Sequence, residues 1–121
     1  MFGYDSQSWK LAETQVYELL VKQARACERI TYSDLVQQID AIGLDMGTDK
    51  DRAALGWLLG SASVRSHEER AVMVSAMAVL SGSRLPSSGF YDLAVELGYE
   101  FSDREIFWGQ QYEAVIEHYS Q

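Results

Sequence analysis

Hydrophobic residues recur every three or four positions along much of the chain, the spacing that places them on one face of an α-helix. The first such stripe predicts a helix from about Trp9 to Cys27, with Ser8 as its N-cap. The apolar positions of this stripe are Trp9, Ala12, Val16, Leu19, Leu20, Ala24 and Cys27. Cys27 is the only cysteine of the chain, and its place on the stripe predicts a buried, unreactive thiol.

Two further helices are predicted by a threonine placed three residues before an aspartate. Thr31 precedes Asp34 and Thr48 precedes Asp51, so each hydroxyl can accept from a backbone N–H in the first turn of a helix. The apolar residues expected to be buried are Tyr32, Leu35, Val36 and Ile39 in the second helix and Leu55, Leu58, Leu59 and Ala62 in the third. Because glycine destabilises a helix interior, Gly56 and Gly60 predict close approach of another backbone, that of the first or second helix.

The apolar run from Ala71 to Leu80 has no clear period, so it fits either a buried helix or a central strand. Ser66 and Glu69 could cap a helix here. The β-branched residues and the Ser-Gly-Ser turn that follows favour a strand from about Val72 to Leu80.

After a loop shaped by Pro86, a helix is predicted from about Phe90 to Leu97, with Gly98 as its left-handed stop. The capping box Ser102–Glu105 then predicts a final amphipathic helix. The apolar residues placed on or near its buried side are Ile106, Trp108, Tyr112, Val115, Ile116 and Tyr119. Together these elements predict one α+β, mostly helical domain over residues 1–121. It has a winged-helix-like centre of three helices with a short strand or hairpin, followed by two C-terminal helices.

The net charge of the chain narrows the classes of partner that it can bind. Ten Lys/Arg and 18 Asp/Glu give a net charge of −8, of which residues 71–121 contribute −5 from two basic and seven acidic residues. Phosphate backbones repel such a surface, so any basic face has to come from residues 1–70. We expect no membrane span and no signal peptide, and therefore a cytoplasmic protein of a bacterium-like cell.

The residue types that carry catalysis or bind metals are sparse. His67 and His118 each lack a second His or a Cys at ligand spacing, so we expect no metal, and we find no motif for a cofactor or an enzyme activity. Ser87, Ser88 and Gly89 precede a predicted helix, where free N–H groups could hold an anion; the simpler interpretation is a serine N-cap.

Trp57 lies between Gly56 and Leu58, off the main apolar face of its helix. An exposed tryptophan at this position would be an interface anchor. The alternative is that it packs on the first helix, since large aromatic side chains are usually mostly buried.

The segments Ile30-Thr31-Tyr32-Ser33-Asp34-Leu35 and Arg52-Ala53-Ala54-Leu55-Gly56-Trp57-Leu58-Leu59-Gly60, followed by an apolar strand and a loop, resemble the winged-helix domain of alkyltransferase-like proteins. The reactive Pro-Cys-His-Arg motif of that family is replaced by Val74–Met77, so alkyl transfer is not implied. The strand and loop from Val74 to Phe90 also resemble small uncharacterised bacterial proteins, a resemblance that carries no function.

The resemblance implies a surface that would face DNA. It places Lys50, Arg52 and Arg65 there, with Arg29 and Arg84 as flanks. Asp49 and Asp51 lie among these cations and would oppose phosphate.

The sequence therefore favours a non-catalytic interaction module, an accessory or inhibitory protein that binds a protein partner with an acidic face. The alternative is sequence-specific DNA binding through the helix around Lys50–Trp57. Candidate binding residues are Lys50, Arg52, Trp57, Arg65 and Arg84.

Overall fold

The computed structural model describes residues 1–120; Gln121, the last residue of the predicted domain, lies outside the described residues. Five α-helices form within the described part, confirming the mostly helical prediction. They are α1 (Ser6–Ala26), α2 (Tyr32–Gln37), α3 (Asp49–Arg70), α4 (Ser88–Glu96) and α5 (Arg104–Tyr119). Two short strands, β1 (Ile30–Thr31) and β2 (Ala78–Val79), pair in parallel with Ile30 opposite Ala78.

Local capping explains where the helices begin. Thr31 and Thr48 are the N-caps of α2 and α3, and each hydroxyl accepts a backbone N–H at 3.2 Å, as predicted. The expectation for Ser8 was wrong, because Asp5 caps α1 and accepts from Ser8 N at 2.9 Å. At α5 the cap is Asp103, which accepts from the backbone N–H of Ile106 at 3.0 Å.

The apolar run after α3 is buried from Val72 to Val79, but only its last two residues form a strand. Helix α3 continues to Arg70, beyond the positions considered for a new cap, and Val74–Met77 form a 3₁₀ turn. Side chains of neighbouring helices form hydrogen bonds with the backbone N–H and C=O groups of this segment. These groups therefore have partners without a long β-ladder. The predicted strand from Val72 to Leu80 was therefore too long.

The winged-helix description of the centre is not confirmed. Residues 38–48 separate α2 from α3, whereas a helix-turn-helix joins its helices by a turn of about 3–4 residues. The strands β1 and β2 pair in parallel, whereas the strands of a hairpin run antiparallel.

The buried side chains form two clusters on either side of the 3₁₀ turn. The larger joins α1, α2, α3 and the C-terminal half of α5, with Leu20, Leu35 and Leu58 fully buried. The smaller joins α4 to the N-terminal half of α5 and is rich in aromatic residues. Its buried members are Met73, Ala76, Phe90, Tyr91, Ala94 and Phe107.

Two expectations about burial and one about helix packing were wrong. Cys27 ends α1 in a left-handed conformation (φ 56°) and is exposed, because the stripe stops where the helix does. Ile106 is 61% exposed, because its neighbour Phe107 takes the buried position. No other backbone approaches the glycines of α3: a Cβ at Gly56 would meet nothing within 4 Å, and one at Gly60 would meet a Leu93 methyl group at 3.8 Å.

Asp51 ties the loop before α3 to the N-terminal segment. Its side chain accepts the backbone N–H of Asp45 and the hydroxyl of Tyr4, each at 2.8 Å. The hydrogen bond from Asp45, followed by that from Tyr4, lowers the pKa of the Asp51 carboxyl. Because these bonds favour the ionised form, they stabilise the folded state at neutral pH.

We expect Asp51→Asn to lower stability at pH 7, with the difference from the parent narrowing in acid. A carboxyl with a depressed folded pKa stabilises the protein above its unfolded pKa of about 3.9, and this contribution is lost as pH falls through the folded value. Urea unfolding at about pH 7 and at about pH 2–3 measures the change. Asp34→Asn, at an exposed position, is the matched control. A pH-independent difference for Asp51→Asn would contradict this prediction.

Candidate functional site

The outward side of α3 carries a run of apolar and small residues that the rest of the chain leaves open. Its members recur at three- or four-residue spacing: Ala53, Gly56, Trp57, Gly60 and Val64, which we call the Trp57 strip. The Trp57 side chain is 60% exposed and Val64 is 37% exposed. Of the two interpretations of Trp57, the structure therefore shows the exposed one.

Gly56 and Gly60 precede and follow Trp57 in the strip, so no side chain covers the α3 backbone at these two positions. Nothing would contact a Cβ at Gly56, and Leu93 of α4 comes no closer to Gly60 than ordinary van der Waals contact. A partner surface can thus approach the α3 backbone next to the indole ring.

Charges of both signs lie along α3 beside the strip. Lys50 and Arg52 are exposed in the first turn, before Ala53, and Glu68 is exposed one helical turn after Val64. On α4, Asp92 and Glu96 are exposed on either side of Leu93 in sequence. All the side-chain carboxylates of residues 71–120 are exposed: Asp92, Glu96, Glu100, Asp103, Glu105, Glu113 and Glu117. The strip thus has cations at its N-terminal end and a carboxylate at its C-terminal end.

The predicted cations at the start of α3 are engaged by the protein itself. Arg52 forms an ion pair with Asp49 and donates to the Met46 carbonyl oxygen at 2.8 Å. The ammonium group of Lys50 lies 5.2 Å from the centre of the Tyr4 ring. Both residues are exposed, but Arg52 already has an anionic partner.

The other two predicted cations lie apart from each other. Arg65 donates to Glu69 at 3.1 Å, and its guanidinium carbon lies 3.8 Å from the centre of the Tyr17 ring. Arg84 is in the loop between β2 and α4 and lines a cavity with residues of α5 and the end of α1. Of the five candidate residues, Lys50, Arg52, Trp57 and Arg65 lie on α3, and Arg84 lies on a separate loop.

The serine loop before α4 has a contact that the sequence did not suggest. Ser87 occupies the N-cap position but its side chain makes no capping bond; instead its backbone N–H donates to the Tyr32 hydroxyl at 2.9 Å. Ser88 and Gly89 are exposed in the first turn of α4. No observation here points to an anion at this loop.

His67 belongs to a hydrogen-bonded pair. Its Nδ1 lies 2.8 Å from the Tyr99 hydroxyl, and that hydroxyl donates to the Ala71 carbonyl at 3.0 Å. The phenol proton is thus used, so Nδ1 of His67 is the donor in this arrangement. Burial raises the pKa of Tyr99, which keeps the phenol protonated at neutral pH. This pair connects the last turn of α3 and its C-cap, Ala71, to Tyr99.

Sequence reasoning found Trp57 and its glycines but missed Ala53 and Val64. The signal was present, since Ala53, Trp57, Gly60 and Val64 already have helical spacing on the side opposite Leu55. It also missed the cavity at Arg84, whose lining residues are far apart in the chain.

The chain matches no protein-family model, no curated protein and no solved structure. The resemblance to alkyltransferase-like proteins therefore stays a prediction that no comparison tests. Among the described residues, none of the helices combines the length and the apolar character needed to span a bilayer.

Proposed function

We propose that this chain is a non-catalytic, cytoplasmic interaction module, an accessory or inhibitory protein that binds a protein partner through the Trp57 strip. The observation that carries the proposal is the 60% exposure of Trp57 on an apolar helix face. Tryptophan is among the residues that contribute most to binding energy at protein interfaces, especially where surrounding contacts exclude water.

The charges around the strip indicate the chemistry of the partner. Glu68 follows the strip on α3, Asp92 and Glu96 are exposed on α4, and the whole chain carries −8. A partner with an apolar patch edged by Lys or Arg would match both features and would be attracted over a distance. We therefore propose a basic rather than an acidic partner surface.

The alternative, DNA binding by a winged-helix-like centre, has less support. In its favour, α1, α2 and α3 precede the short strand β2 in the expected order. Against it, Arg52 and Arg65 have carboxylate partners, and Glu68 and Asp49 are exposed on the same helix. Exposed ion pairs are weak and cost little to break, so the stronger objection is the carboxylates that would face phosphate on this helix.

We expect Trp57→Ala to weaken partner binding by about 30-fold or more, corresponding to the roughly 2 kcal/mol or more typical of a central interface residue. The test is quantitative mass spectrometry of proteins retained by the immobilised chain, followed by affinity measurement with the purified partner. Ile106→Ala is the matched control, because Ile106 is 61% exposed on a different helix. Both variants are expected to remain folded.

Two results would contradict the proposal. One is a partner retained equally by the parent, Trp57→Ala and Ile106→Ala. The other is binding to a mixed DNA duplex pool at about 50 mM salt that is lost at about 200 mM salt and on Arg52→Ala, since counterion release produces that salt dependence. The second result would support the DNA-binding alternative.

A further inference from the structure

A second feature lies away from the Trp57 strip, where the end of α1, the loop before α4 and the middle of α5 meet. Residues from these three segments line a cavity of about 380 Å³: Cys27, Glu28, Arg29, Arg84 and Tyr112. Two of the ten basic side chains of the chain therefore converge on one cavity. Cys27, Glu28 and Arg84 are exposed, so this cavity opens to solvent.

Arg29 is held in place by aromatic rings. Its guanidinium carbon lies 5.3 Å from the centre of the Trp108 ring and 5.8 Å from that of Tyr112. Its Nη1 donates to the Arg84 carbonyl oxygen at 3.1 Å. A guanidinium has five N–H donors, so this one bond leaves others available to a ligand.

Arg84 is presented by a closed loop. Its backbone N–H donates to Leu80 O at 3.0 Å, and the backbone N–H of Leu80 donates to Leu85 O at 2.9 Å. The Arg84 carbonyl accepts the hydrogen bond from Arg29, so the loop holds the Arg29 guanidinium beside the Arg84 backbone.

Neither Arg29 nor Arg84 forms an ion pair within the described residues, although the chain is rich in carboxylates. The ion pairs of the described residues involve Arg52 with Asp49 and Arg65 with Glu69, and neither includes Arg29 or Arg84. Glu28 lines the cavity but is not within ion-pair distance of either guanidinium. A dianion bound in this cavity would give both guanidinium groups the anionic partner that they lack.

We propose that this cavity binds a phosphate group, either as free phosphate or as the monoester of a small molecule. The planar donor fork of arginine matches phosphate oxygens bidentately, and a dianion balances two guanidinium groups better than a single carboxylate does. The Tyr112 ring supplies an aromatic wall against which the carbon part of a monoester can pack. This proposal uses none of the residues of the Trp57 strip and does not depend on the proposed protein partner.

Cys27 offers a local probe, because it is the only cysteine, is exposed and lines the same cavity. The reaction of its thiol with iodoacetamide, an uncharged reagent, is followed by mass spectrometry. Inorganic phosphate and glycerol 3-phosphate are tested against sodium chloride of equal ionic strength. We expect saturable protection, with the rate falling roughly tenfold when the ligand is at about ten times its Kd.

Arg84→Gln, at an exposed position, should abolish the protection without unfolding the chain. Arg104→Gln is the control, since this arginine lies over the Tyr91 ring and outside the cavity lining. Stronger protection by glycerol 3-phosphate would identify a monoester site, and equal protection by both would identify a site for free phosphate. Protection no greater than that by chloride, or protection that persists in Arg84→Gln, would overturn the proposal.

Discussion

Replacing Phe107 by alanine is expected to lower the free energy of unfolding by about 3–5 kcal/mol, the range for truncating a buried aromatic side chain. Phe107 is only 4% exposed and lies at the centre of the smaller cluster. Its ring stacks on Phe101 at 4.3 Å between centroids and contacts Tyr99 at 5.5 Å and Phe90 at 5.9 Å. Alanine would leave a cavity lined by three aromatic rings, which cannot all move inward to fill it.

The adjacent residue provides the control for this variant. Ile106 is 61% exposed on the same turn of α5, so Ile106→Ala is expected to change stability by no more than about 0.5 kcal/mol. Urea unfolding monitored by circular dichroism compares the two variants with the parent. Equal losses would contradict the placement of Phe107 in the core and of Ile106 on the surface.

The features predicted correctly from the sequence are those decided by nearby residues. Thr31 and Thr48 cap helices through bonds that span three residues, so the sequence alone specifies them. Gly98 has the predicted left-handed conformation (φ 97°), and here too the constraint is local. Five residues of the predicted α1 stripe are buried, Trp9, Ala12, Val16, Leu20 and Ala24, whereas Leu19 is half-buried and the buried Tyr17 and Val21 were missed.

The wrong predictions concern features that depend on contacts between residues far apart in the sequence. The final helix packs against the larger cluster through Val115 and Tyr119 and against the smaller one through Phe107. Because α5 contacts two clusters, its buried face is not the same along its whole length. A prediction based on one apolar stripe therefore placed Ile106 on the buried side. Similarly, the conformation of residues 71–80 depends on partners in α3 and α5 rather than on its own β-branched residues.

The candidate site divides in the same way. Trp57 and its glycines were visible as neighbours in one helix, although their exposure was not decided by the sequence. The residues around the cavity at Arg84 were not recognised as a group, because Cys27, Arg84 and Tyr112 meet only through tertiary packing. Charge counting also missed that Arg52 and Arg65 have partners within their own helix.

The buried serines of α3 explain how the segment after this helix is held without a β-ladder. The Ser66 hydroxyl donates to Val72 O at 2.6 Å and accepts the backbone N–H of Val74 at 2.9 Å. One turn earlier, the Ser63 hydroxyl accepts the backbone N–H of Ser75 at 3.0 Å. From α5, Gln111 accepts the backbone N–H of Met73 at 3.0 Å. Polar side chains thus take the place of strand partners in the interior.

We therefore expect Ser66→Ala to lower the free energy of unfolding by about 2–4 kcal/mol, far more than the loss of one hydroxyl on a surface. Ser66 is fully buried, so alanine leaves the Val72 carbonyl and the Val74 N–H without this partner, and each such group costs about 1–3 kcal/mol. Urea unfolding gives the total loss, and hydrogen exchange at Val74 reports the local effect.

Ser61→Ala is the matched control in the same helix. The Ser61 hydroxyl donates to a Glu13 carboxylate oxygen at a partly exposed position, where water can replace the lost bond. Its removal is expected to cost no more than about 1 kcal/mol. A loss for Ser66→Ala as small as that for Ser61→Ala would mean that apolar packing alone holds Val72–Val79. A large loss with early exchange at Val74 would show that α3 positions this segment through its serines, and with it the strand that leads into the Arg84 loop.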